Sequence, residues 1–311
     1  MEEQFIFFQC HNLMSYNETR ALIDKHDIRP TRSLGQNFLI DDRVVSSICE
    51  AAELCMEDLV IEIGPGLGVL TLAAAKMAGQ VTAIEIDRHM LPVLNDVLAG
   101  CDNTRIVMQD ALAVDLPKLA AGWQGKTKVA ANLPYYITTE MVVRLISRLP
   151  FAAIMILMMQ KEAADRIFAM PGSKMYGPSS VLAHLYGDIE KIMTVPASAY
   201  YPQPHVASVI IKLTRREPQS NFMLNPPDCI KTNDRIDLVK TDWLALTKFI
   251  EACFCQRRKT LVNSLKQSSY SAFASDCLKG YLKNNALGLD ARAESIEPPR
   301  FLDMFYLFQQ L

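Results

Sequence analysis

The stretch "LVIEIGPGLGVLTLAAAKMAGQVTAIEID", residues 59–87, decides the fold. It opens on a β-branched apolar run, breaks at Gly64, Gly66 and Gly68, continues as an alanine- and leucine-rich segment, and returns to β-branched residues at "QVTAIEID". β-branched residues suit a pleated, buried strand and the alanine-rich segment suits a helix, so the order reads as strand, tight turn, helix, strand. Such a crossover joins parallel strands. Glycines between strand and helix let the backbone approach a ligand and aim amide hydrogens from the helix start at it.

The same rhythm extends outward. "HMLPVLNDVLAG" (89–100) and "TRIVMQD" (104–110) add a helix and a third strand, and "KVAANL" (128–133), "TTEMVVRLISRL" (138–149) and the uniformly apolar "FAAIMILMM" (151–159) add two more strands around an amphipathic helix. "IEKIMTVP" and "HVASVIIKL", after the helix-like "SVLAHLYG", are predicted to close the sheet. Proline, asparagine and charge concentrate over 215–229, which marks a linker taken as 217–240. Beyond it "DWLALTKFIEACF", "SDCLKGYLKNN" and "PRFLDMFYLFQQL" are helical only. The expected architecture is therefore α/β, a mostly parallel sheet with helices on both faces, plus a small all-α C-terminal domain.

A chain of 311 residues, half of them hydrophobic, can bury two cores. Its eight cysteines form no C-x-x-C pair, and the one beside a histidine, Cys10 before His11, has no second cysteine or histidine at ligand spacing, which argues against zinc or a secreted disulfide framework and for reduced cytoplasmic thiols. The apolar "FIFF" near the start is too short for a signal peptide or a membrane span, so neither is expected. Net charge is −2 overall but divides as −6 over residues 1–200 and +4 over 201–311. "CFCQRRKTLVNSLKQSSY" (253–270) holds Arg257, Arg258, Lys259 and Lys266 and no acid, a patch suited to phosphates or simply to a solvated helix face.

A glycine loop alone also fits a nicotinamide dehydrogenase. Acids behind it narrow the reading: Glu85 ends the second strand, where a carboxylate bonds the ribose hydroxyls of a nucleoside cofactor, and Asp110 ends the third, within reach of a cofactor adenine's amine. Glu62, inside the first strand, needs a polar partner of its own. At the end of the fourth strand stands "ANLPYY" (131–136). The Asn132 side-chain carbonyl and the Leu133 main-chain carbonyl form an acceptor pair for an amine whose lone pair is delocalised. Two bonds to its hydrogens localise that pair on nitrogen and favour the positive charge that builds during attack on a methyl group. Pro134 keeps the backbone extended, and Tyr135 offers a flat face for a base. The motif fits adenine in RNA or DNA, or a glutamine amide in a protein, since each is a conjugated nitrogen.

In combination, "SLGQNFLID" (33–41), "EIGPGLGVLT" (62–71), Glu85, Asp110, "NLPYYITT" (132–139), "YPQPHVASVIIKL" (201–213) and "CQRRKTLVNSLK" (255–266) resemble the KsgA-type small-subunit (16S) ribosomal RNA adenine N6,N6-dimethyltransferases. The resemblance implies a Rossmann-like class I methyltransferase fold with a seven-stranded sheet over 29–216, a helical rRNA-docking domain over 241–311, and a 1–28 extension without a recognised counterpart. It implies S-adenosyl-L-methionine as cofactor, held by Asn37, Leu39, Gly64, Gly66, Glu85, Asp110 and Asn132, and no metal. Catalysis is expected from Asn132, Leu133, Pro134, Tyr135 and Tyr201, with Tyr201 taken as the aromatic of an F-x-P-x-P-x-V pattern that sandwiches the target base against Tyr135. RNA contacts are expected from Phe38, Arg257, Arg258, Lys259 and Lys266. The implied substrate is a pair of adjacent adenines in the 3′-terminal hairpin loop of 16S rRNA within a 30S assembly intermediate, met by a monomeric cytoplasmic enzyme. A non-catalytic assembly factor would show damage to the glycine loop, Glu85 or Asn132, and all are intact. A resistance-type methyltransferase of large-subunit RNA would carry a serine-containing glycine loop and N-I-P-Y. Ser179 stands where the family usually has leucine, and 221–238 differs from its usual linker.

Overall fold

The computed structural model describes residues 16–31, 34–216, 241–274 and 276–310. "FIFF", Cys10, Ser33, Cys229, most of the 1–28 extension and the whole 217–240 linker lie outside them. In chain order the elements are α1 (Tyr16–Lys25), β1 (Phe38–Leu39), α2 (Asp42–Ala51), β2 (Leu59–Ile63), α3 (Val69–Ala75), β3 (Gln80–Glu85), α4 (Leu91–Val97), β4 (Thr104–Met108), α5 (Leu116–Ala120) and β5 (Thr127–Asn132). There follow α6 (Thr138–Arg148), β6 (Ile154–Gln160), α7 (Lys161–Phe168), α8 (Pro178–Tyr186), β7 (Gly187–Val195), β8 (Tyr200–Tyr201), β9 (Ser208–Arg215), α9 (Trp243–Phe254), α10 (Leu261–Lys266), α11 (Asp276–Asn284) and α12 (Pro298–Gln309).

Seven strands form one sheet in the order β4-β3-β2-β5-β6-β9-β7, with helices on both sides. The pairs β4/β3, β3/β2, β2/β5 and β5/β6 are parallel. Every residue of β2 is buried, as is β6 up to Gln160, which accounts for their unbroken apolar runs. From β2 the chain turns first toward β3 and later returns on the other side at β5. This reversal opens a crevice at the carboxyl ends of β2 and β5, the place where open α/β sheets take ligands. A second, two-stranded antiparallel ribbon pairs β1 with β8, setting Phe38 opposite Tyr201 and Leu39 opposite Tyr200. Nothing in the periodicity announces two-residue strands, because they are too short to alternate.

The chain groups into two compact units. One holds the described residues up to Tyr136 with Ile154–Gln160 and Lys191–Lys212, and the other holds Ile137–Ala153, Lys161–Glu190 and the described residues from Leu213 onward. These units cut across the boundaries at 216 and 241, because α9 packs on α6 and α8 and α12 packs on α8 and α9. Rings seal that second unit: Tyr176 meets Phe254 edge-on at 5.9 Å, and Phe254 stacks on Phe301 at 5.6 Å.

Candidate active site

The crevice is built on the loop after β2. Gly64 and Gly66 have φ of +69° and +54°, a left-handed backbone that favours glycine. A Cβ on Gly66 would stand 3.0 Å from the Phe38 ring, and one on Gly64 would stand 3.9 Å from the Asn132 carbonyl oxygen. The absent side chain at Gly66 therefore lets the loop close on β1, whereas at Gly64 a Cβ would meet only ordinary contact and it is the left-handed backbone that calls for glycine.

Glu85, at the end of β3, accepts from the amides of Asp87 at 2.8 Å and Gly66 at 3.3 Å. Burial pushes its carboxyl above the usual range, and these amide bonds oppose that. Two backbone donors thus set its orientation toward the glycine loop. Asp110 is exposed and accepts from the Leu112 amide at 2.8 Å. The segment after α1 is tied to the same edge, since Gln36 donates to Asp87 at 2.8 Å and accepts from the Thr31 amide at 2.8 Å.

Asn132 donates its amide hydrogen to the main-chain carbonyl of Asn37 at 3.2 Å. The Asn37 side chain in turn bonds the Gly35 carbonyl at 3.0 Å. Fixing the Asn132 nitrogen fixes the rotation of its amide and commits its oxygen to the acceptor role. Leu133 is buried and its own amide donates to Met158 at 2.9 Å, which anchors the backbone that carries the second carbonyl. Tyr135 is half-buried, its hydroxyl 3.2 Å from Ser208 Oγ, and burial raises its ionisation above the usual phenol range. It stays neutral at physiological pH and takes no proton from a substrate.

Several expected residues have other places. Phe38, expected to face RNA, is buried with its ring on Gly66, so it floors the glycine loop. Leu39 is buried as well and lies opposite Tyr200. The F-x-P-x-P-x-V spacing, counted back from Pro202 and Pro204, puts its aromatic position at Tyr200 rather than Tyr201. Tyr200 is buried, which pushes its ionisation well above the phenol range. Tyr201, on the opposite side of an extended strand, is half-exposed beneath the Arg20 guanidinium, whose carbon lies 4.8 Å from the ring centroid. Arg257 is engaged: it bonds Glu294 at 2.8 Å and the carbonyls of Lys174 and Tyr176 at 2.8 and 3.2 Å. Arg258, Lys259 and Lys266 are exposed, the first two on the turn between α9 and α10 and the third at the end of α10. Sequence reading missed Arg20 and Ser208; an isolated arginine and a strand serine carry no spacing signal.

Glu62 Oε2 is buried and has no hydrogen-bond partner among the described residues. Burial, with the Glu85 carboxylate pushing the same way, raises its pKa from 4.5 to about 8. Protonated at neutral pH and unpaired next to the glycine turn, this carboxyl would give up its proton to a cationic ligand group, and S-adenosylmethionine carries an ammonium and a sulfonium. The unfolded chain releases this proton near pH 4.5 and the folded one near 8, so the contribution to stability is complete below 4.5 and is lost as pH rises through 8. The loss by pH 7 is about 3 kcal/mol. Urea unfolding at pH 5 and pH 8 should show the decline in the wild type and a flatter profile in Glu62→Gln. Parallel profiles would refute it.

The family described as ribosomal RNA adenine dimethylase has a model that matches residues 28–225. The curated "Ribosomal RNA small subunit methyltransferase A" of Natranaerobius thermophilus is 36% identical over 310 residues, covering 94% of this chain and 96% of that protein. Its namesake from Clostridioides difficile is 40% identical over 256 residues, covering 81% and 82%. Among solved structures, a dimethyladenosine transferase from Plasmodium falciparum aligns with a TM-score of 0.66 at 24% identity, covering 88% of this chain and 98% of that one. The 23S rRNA methyltransferase ErmE aligns at 0.57, also at 24% identity, covering 88% and 100%. Both share the fold.

Proposed function

The chain belongs to the ribosomal RNA adenine dimethylase family, and from that premise we propose that it methylates N6 of two adjacent adenines in the 3′-terminal hairpin loop of 16S rRNA, giving N6,N6-dimethyladenosine. The substrate is met in a 30S assembly intermediate, where the loop is unpaired and its bases cost least to extrude. Residues 29–216 carry the transfer chemistry, and 241–311 dock RNA through Arg258, Lys259 and Lys266, which are exposed.

The observation that best supports this reading is the bond from the Asn132 amide nitrogen to the Asn37 carbonyl, at the end of β5 beside the glycine loop, because with the nitrogen so engaged the side-chain oxygen is left as the acceptor. Gly64, Gly66, Glu85 and Asp110 would hold S-adenosylmethionine, with the ribose hydroxyls on Glu85, the adenine amine on Asp110 and the ammonium near Glu62; Asn37 and Leu39 support the site through β1. When bound, the cofactor supplies an electrophilic methyl carbon. Asn132 Oδ1 and the Leu133 carbonyl accept the two N6 hydrogens of the target adenine, turning its lone pair out of the ring and toward that carbon. Pro134 keeps this backbone extended, and the base stacks on Tyr135, whose hydroxyl is steadied by Ser208. The methylated nitrogen is acidic enough to release its proton to water, so no general base is required.

The test is a labelled methyl-donor assay on undermethylated small subunits, followed by mapping of the labelled nucleotides. Label in two neighbouring adenines of the 3′-terminal loop is the expected result. Label confined to large-subunit RNA or to protein would assign a different substrate.

A further inference from the structure

Resting on the reading above, we propose that Arg20 is an RNA-binding residue of this active site, contacting a backbone phosphate of the strand that carries the target adenine. Arg20 lies on α1, upstream of the glycine loop and of every motif that defined the site. Its guanidinium stands over the Tyr201 ring at 4.8 Å, within the range of a cation–π contact. A guanidinium is planar: it presents its face to a ring and keeps its N–H donors on the edge, where they match a phosphate. Among the described residues Arg20 makes no hydrogen bond or ion pair, so none of these commits its donors.

The position is held from both sides. At the end of α1 Lys25 Nζ meets Asp96 of α4 at 2.6 Å, and His26 Nε2 meets the same carboxylate at 2.9 Å. Thr19 and Ile23 are buried, so the helix presents a settled face. Tyr201 is fixed opposite Phe38, which rests on Gly66, and the neighbouring Asn37 holds the Asn132 amide. A half-exposed aromatic ring with a cation seated on it, one residue pair from the acceptor site, combines the two features that bind single-stranded RNA, a π-face and a phosphate donor. An adenine extruded toward Tyr135 carries its own backbone to this rim, and Arg20 supplies the positive charge there.

The experiment compares full-length wild type, Arg20→Ala and Arg20→Lys on undermethylated small subunits over a range of salt concentrations, with cofactor affinity measured by calorimetry. Arg20→Ala should raise KM for subunits about tenfold, leave cofactor affinity as in the wild type, and reduce the slope of log kcat/KM against log salt by about one. Arg20→Lys should restore the salt slope and only part of KM, since an ammonium contacts phosphate as a point charge but does not lie flat on the ring. An Arg20→Ala enzyme with wild-type KM and salt slope overturns the inference. So does a variant that loses cofactor affinity in step with KM at unchanged salt slope, which marks a structural role for α1. A wild type that labels no small-subunit adenine overturns the functional reading and this inference with it; an active wild type with an unaffected Arg20→Ala overturns this inference alone.

Discussion

Asn132→Ala should lower kcat for adenine methylation by about 10²- to 10³-fold, the usual cost of removing one preorganised hydrogen-bonding group aimed at developing charge. Subunit affinity should hold, and cofactor affinity should change far less than turnover, because Gly64, Glu85 and Asp110 hold the cofactor in the proposed arrangement. Asn132→Asp is the informative companion. It keeps an acceptor but sets a carboxylate oxygen against the Asn37 carbonyl, where the amide now donates at 3.2 Å. Its rate should fall between wild type and alanine. Single-turnover methylation of undermethylated subunits separates the chemical step from release. An alanine variant as fast as the wild type would end the acceptor role of this side chain while leaving family membership untouched.

The largest stability effect is expected at the opposite end of the sheet, where Lys128→Met should cost about 3–5 kcal/mol. Lys128 Nζ lies 2.8 Å from Asp58 Oδ2 and donates to the Glu53 carbonyl at 2.5 Å, with side chains 5% and 1% exposed. Asp58 also accepts from the Cys55 amide at 2.8 Å, so the pair fastens the turn that feeds β2 onto β5. Removing the lysine takes away the buried carboxylate's ion-pair partner, and among the described residues Asp58 Oδ1 is without a hydrogen bond even now. The double variant Asp58→Asn with Lys128→Met keeps the bond to Cys55 and removes the stranded charge. It should recover more than half of the loss in urea unfolding. A single variant within 1 kcal/mol of wild type would show that water reaches the site.

Residues 59–87 specified strand, glycine turn, helix and strand by composition and period alone, because each step is a local preference repeated over enough residues to be read. The same holds for the buried run of β6 and for the C-terminal helices, whose apolar spacing needs no knowledge of neighbours. The acids at successive strand ends were legible too, since a parallel sheet delivers its carboxyl termini to one edge. Other features depend on contacts between residues far apart in the chain. The ribbon of Phe38 with Tyr201, 163 positions on, lays the Phe38 ring against Gly66, buries Tyr200 and leaves Tyr201 half-exposed under Arg20. Lys128 reads from sequence as an odd charge in a strand; Asp58, 70 positions earlier, explains it. Arg20 has no local pattern whatever, and its place on Tyr201 comes from the docking of α1 through Asp96. Local preference sets which elements form, but a side chain's partner is decided by how those elements pack, and packing brings together residues that share no sequence neighbourhood.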